Sequence, residues 1–361
     1  MELAATGATP SCVAALDAAL DAGGSLLELL PAVVAERLVA ADDRAAARRY
    51  DDEDVEPTNR RGLLGGAAGA ALGAAALGAA PAAAREVDPE LPAHWSNLLR
   101  LLGRLDMLRG PQDVLAAVRR ELRLIAEHRA VARGELRVAL TRVEARWSDL
   151  AAWLSEDTGR PRDRDAWTER VGRLAREAND PELVAFWRAR QGEWAAMARD
   201  PRAAALAEAA LRVPGASAQT RAWSARQAAL GHALGGDAAA CERRLHDAYG
   251  LLEHADSPVP PWAHEFRVTR SGTRATEACC WLAMTPAKAI SVYEDALRDW
   301  PRDEVRDRGL HRARLALACA QAGELDRAKA EGAGAFAIAK QTRSASAARE
   351  LRQLRMALAA A

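Results

Sequence analysis

The residues able to do chemistry in this chain are spaced in ways that do not assemble a catalyst. Cys279 and Cys280 are adjacent, which suits neither tetrahedral zinc nor a dithiol redox pair. Cys241, His246, His254 and His264 fall in one stretch but match no ligand spacing, and buried cysteine with surface histidine accounts for them. Glu156 and Asp157, beside Trp153, resemble an acid pair, yet at a helix end they are expected to be solvated. No H-E-x-x-H, C-x-x-C or G-x-S-x-G occurs. The glycines of residues 62–78 follow no strand and precede no Gly-Lys-Ser/Thr, so they form no phosphate cradle. The expectation is a protein with no catalytic residues, no metal and no cofactor, and therefore not an enzyme.

Composition agrees. The 361 residues carry 50 basic and 50 acidic side chains, so nothing general draws them to nucleic acid or an anionic membrane. Five scattered cysteines fit a reducing, cytoplasmic compartment better than a disulfide framework. Roughly a quarter of the chain is alanine, far above ordinary usage.

The elements that would position any site are helices. Residues 1–41 read as a short helical segment, with Gly23-Gly24 interrupting its leucines. Residues 42–93 read as a linker, charged up to Arg61 and then almost wholly Gly and Ala. That second part also has readings as a membrane helix or, after Arg60-Arg61, as a twin-arginine export signal. Gly and Ala contribute too little transfer energy for the first. The distance of the arginines from the N-terminus speaks against the second. From residue 94 to 361 the pattern is helical throughout. Leu115, Val118, Leu122 and Ile125, then Leu140, Val143, Trp147, Leu150 and Leu154, recur at steps of three and four.

Turn signals recur at Asp200-Pro201, Gly236-Asp237, Thr285-Pro286 and Gly323-Glu324, with Ser257–Pro261 adding a loop. A period near forty residues marks stacked helical hairpins. After these turns come Cys241, Leu245 and Ala248; Ala289, Tyr293, Ala296 and Pro301; Ala328, Gly332 and Ala335. Small residues at fixed spacing let paired helices approach closely. The second set fits the second helix of a tetratricopeptide repeat. The fold expected is all-α, a tetratricopeptide-like hairpin solenoid after a Gly/Ala linker. Its concave groove would present Phe186, Glu193, Trp223, Arg226, Arg274 and Trp281, aromatic faces and charges suited to a peptide, a protein or a small amphipathic signal.

The segments Ala145-Arg146-Trp147 and Leu150 through Gly159, then Leu174 through Asp180, resemble those of actinobacterial helix-turn-helix transcriptional regulators with a tetratricopeptide-like C-terminal region. Trp300-Pro301, Arg306 through Leu310, Gly323-Glu324 and Asn59 through Gly65 are similar in the same way. The resemblance implies a regulatory or sensor role in transcription. Only about nine residues precede the segment beginning at Pro10, too few for the family's DNA-binding unit. DNA would be a partner only if a helix-turn-helix domain were supplied, and no base-contacting residue carries over. A homodimer is compatible with the resemblance. Alternatives are the C-terminal part of a DNA-binding regulator, or a twin-arginine-exported binding protein.

Overall fold

The computed structural model describes residues 87–253 and 268–360. The readings made for residues 1–86, for His254 and His264 and for the Ser257–Pro261 loop lie outside these described residues. The chain divides into two units between Arg85 and Glu86, and every helix below belongs to the second.

The described residues form thirteen α-helices and no strand. They are α1 (Leu91–Arg109), α2 (Leu115–Val131), α3 (Gly134–Asp157), α4 (Pro161–Glu177), α5 (Pro181–Met197), α6 (Ala203–Leu211) and α7 (Ala218–Leu234). After them come α8 (Ala238–Glu253), α9 (Arg270–Met284), α10 (Pro286–Arg298), α11 (Val305–Gln321), α12 (Leu325–Thr342) and α13 (Ala345–Ala360). The first begins three residues before the boundary expected at 94. Local chemistry sets the ends. Proline opens α4, α5 and α10, where its missing N–H costs nothing. Asp180 accepts from the backbone of Glu182 and Leu183 to cap α5, and Ser217 and Thr269 cap α7 and α9 in the same way.

All four sequence turn signals fall between the two helices of a hairpin: α5–α6, α7–α8, α9–α10 and α11–α12. With α3–α4 they make five hairpins packed in chain order, followed by α13. The small-residue positions are interior: Cys241, Ala248, Ala289, Ala296, Ala328 and Ala335 are all buried, as is the bulky Tyr293 among them. Close approach shows most clearly at Gly231, where a Cβ would lie 2.4 Å from the Ala204 backbone nitrogen of α6. The leucine and valine periodicity of α2 and α3 closes on Trp95 and Trp147, and the Trp147 indole donates to the Trp95 carbonyl at 3.1 Å.

The stacked hairpins do not run on as an open-ended array. The first described helix packs against α11 and α12, and α3 against α13, so the array turns back until its ends touch. Gly110 makes this possible. Its φ of +93° ends α1, and a Cβ there would lie 1.8 Å from the Thr342 carbonyl oxygen. Among the described residues no helix is long and apolar enough to cross a membrane.

Candidate functional site

Phe186, Arg190 and Glu193 stand at i, i+4 and i+7 of α5 and therefore share one face. Arg190, 5% exposed, is the centre of that face. Its Nε and Nη2 donate to the two oxygens of Asp149 from α3, each at 2.8 Å, and its Nη1 donates to Glu193. Four rings surround the guanidinium: Trp223 at 4.8 Å, Trp194 at 5.4 Å, Phe186 at 5.5 Å and Trp153 at 5.6 Å from their centroids. Trp153 stacks on Trp194, and Phe186 lies 4.7 Å from Trp223. Burial disfavours the charge on Arg190, but Asp149 and Glu193 outweigh it and hold the side chain firmly protonated.

Phe186, Glu193, Trp223 and Arg226 meet on this wall. Glu193 accepts from Gln227 of α7 at 3.1 Å, and its charge reaches Arg226. Arg274 and Trp281 are placed elsewhere. Both donate to Glu277, at 2.9 Å and 3.3 Å, in a group that includes Tyr249 and Asp295. Trp281 also carries the Lys288 ammonium 3.2 Å above its ring. His311 and Arg314 lie on α11, where the charge of Arg226 reaches His311, and Arg314 donates to Glu350 at 2.9 Å. The Cys279 sulfur takes up Arg314 at 3.4 Å and the Tyr293 hydroxyl at 3.1 Å.

A second buried charge group closes the array. Arg306 of α11 pairs directly with Asp106 of α1, lies 3.8 Å from Asp157 of α3, and donates to a third carboxylate, that of its neighbour Asp307. Asp157 also caps α13, accepting from the Ser344 hydroxyl and the Ser346 amide at 2.8 Å each. Glu156 takes Arg164 at 2.7 Å and Arg349 at 2.5 Å. The solvated helix end expected for Glu156 and Asp157 is thereby overturned. Both are buried, because α13 packs against α3 and Arg306 of α11 lies over its end. Burial, reinforced by Asp157 and Asp307 and only partly offset by Arg306, pushes the Asp106 carboxyl up to about 7. Arg306 lies 5.3 Å from the Trp153 ring, which joins this seam to the wall.

Sequence reasoning missed Arg190, Asp149, Asp106 and Arg306. A signal existed for Arg190 alone, as the helical neighbour of Phe186 and Glu193. Two open hollows, of about 660 and 820 Å³, lie at α6, α7 and α8 and contain none of the six groove candidates. In them Glu208 bridges Arg244 and His232. Burial works against its ionisation, but these two donors prevail and hold its pKa below the usual range. Cys241 and Cys280 pack together in an apolar cluster. No grouping of three metal-ligating side chains occurs among the described residues. Comparison with protein-family models, curated proteins and solved structures gave no match for this chain.

Proposed function

We propose that this chain is a non-enzymatic regulator or sensor, a tetratricopeptide-like array that receives a peptide, protein or small signal on the wall around Arg190. The observation supporting this reading is the gathering of Phe186, Arg190, Glu193, Trp223 and Arg226 on one face. A helical bundle stabilised by apolar contacts has no need to bury so many charges beside indole rings. The array's ends meet through ionic groups, and a ligand that favours or opposes that meeting would act by its differential affinity for the two arrangements. The resemblance to helix-turn-helix regulators extends the reading to transcriptional control, with DNA contact left to a separate unit.

A thermal-shift screen of peptides and small metabolites against wild type, Arg226→Met and Trp223→Phe tests the reading. The expected result is a ligand that raises the wild-type midpoint by several degrees and loses about tenfold or more in affinity in either variant. A ligand that binds all three proteins equally would place the site elsewhere and overturn the assignment.

A further inference from the structure

One cation on the wall lacks an anion. Among the described residues Arg226 makes no hydrogen bond or ion pair, and its Nε is shielded from solvent. The carboxylates within electrostatic reach are already engaged. Glu193 accepts from Arg190 and Gln227, and Asp307 accepts twice from Arg306. Burial, aided by the charge of Arg190, accordingly pulls the Arg226 pKa below the ordinary arginine range.

Other donors nearby are also unmatched. His311 Nδ1 and Trp300 Nε1 are buried without hydrogen-bond partners, on rings 4.6 Å apart. Burial and the charges of Arg314 and Arg226 hold His311 well below its usual pKa, so its imidazole is neutral and donates from one nitrogen. Gly272 of α9 lets the guanidinium pack close to the helix backbone, since a Cβ there would come 3.1 Å from Arg226 Nη1. A guanidinium cannot shed its proton, and its planar fork matches two oxygens of one anionic group.

We propose that the inner wall holds an anionic oxygen group, the carboxylate or phosphate of a small ligand, on Arg226, with the unpartnered ring nitrogen of His311 as a further donor. The proposal rests on the wall reading above and narrows its ligand class.

The test is a titration of the purified protein with inorganic phosphate and, separately, with succinate. Sodium chloride holds the ionic strength constant, and the thermal midpoint is followed in wild type, Arg226→Met and Arg226→Lys. Phosphate or succinate should raise the wild-type midpoint by several degrees, and the more effective anion identifies the group. The response should vanish in Arg226→Met and be weakened about tenfold in Arg226→Lys, which keeps the charge but not the fork. Should the methionine variant not fold, the lysine variant carries the comparison. No response in wild type, or equal responses in wild type and the variants, would overturn the proposal. A neutral ligand from the screen that needs Arg226, alongside inert anions, would sink this inference and leave the wall reading standing.

Discussion

The seam that closes the array and the wall at Arg226 carry opposite imbalances. At the seam three carboxylates, Asp106, Asp157 and Asp307, share the single guanidinium of Arg306. At the wall the guanidinium of Arg226 forms no ion pair or hydrogen bond with a carboxylate among the described residues, although the charges of Glu193 and Asp307 reach it. The chemistry of the two groups makes the outcomes differ. A carboxyl can relieve excess negative charge by binding a proton, and Asp106 does so with a pKa raised to about 7. A guanidinium has no such recourse. The seam therefore balances its charge with a proton, although Asp106 Oδ1 and Asp157 Oδ2 stay without a hydrogen-bond partner, whereas the wall, on our proposal, takes its anion from outside.

The largest effect that would break this comparison is at the seam. Arg306→Met strips the cation from two buried carboxylates and should lower unfolding free energy by about 3 to 5 kcal/mol in urea denaturation. A wild-type midpoint would show that the closure contributes nothing. Gly110→Ala should match it in direction, because it combines a positive φ with a clash against the Thr342 carbonyl.

Next in size is a pH effect. The unfolded chain loses the Asp106 proton near the ordinary aspartate value of 3.8, and the folded chain keeps it to about 7. Stability should therefore fall as pH rises from about 4 to about 7 and level off above. Glu304, raised to about 7 by burial and by Asp307 and Asp303, acts in the same direction. Asp106→Asn should flatten most of the slope and leave the Glu304 part. A slope unchanged in that variant would remove Asp106 from the account.

At the wall the sign reverses. Without added anion, Arg226→Met removes an unmatched charge and should stabilise the protein, by about 1 to 3 kcal/mol. A loss comparable to that of Arg306→Met would mean that the two regions are alike. The smallest effect belongs to the surface. Among the described residues Arg202 pairs with Asp200 alone and its side chain is exposed, so Arg202→Ala should leave the urea midpoint unchanged.

Much of the scaffold was readable in the sequence because it is local. The three-and-four spacing of α2 and α3, the glycines and prolines between hairpin helices, and the buried alanine positions all follow from residues a few places apart. Four of the six groove candidates meet for the same reason, being near neighbours on α5 and α7. Arg274, Glu277 and Trp281 also share one face of α9, but neighbouring helices decide which way that face turns. The seam was not readable. Asp157 is buried by Ser344 and Ser346, nearly two hundred residues further along the chain, and nothing around it announces that return. Arg226 was singled out, yet its lack of a partner emerges only when Glu193 and Asp307 are seen to be occupied.

One urea titration series confronts the contrast directly: wild type and Arg226→Met, each with and without saturating phosphate or succinate. The midpoints should cross, the variant being the more stable protein without anion and the less stable one with it. A gap between the two proteins that stays constant whatever anion is added would contradict a wall built to receive one.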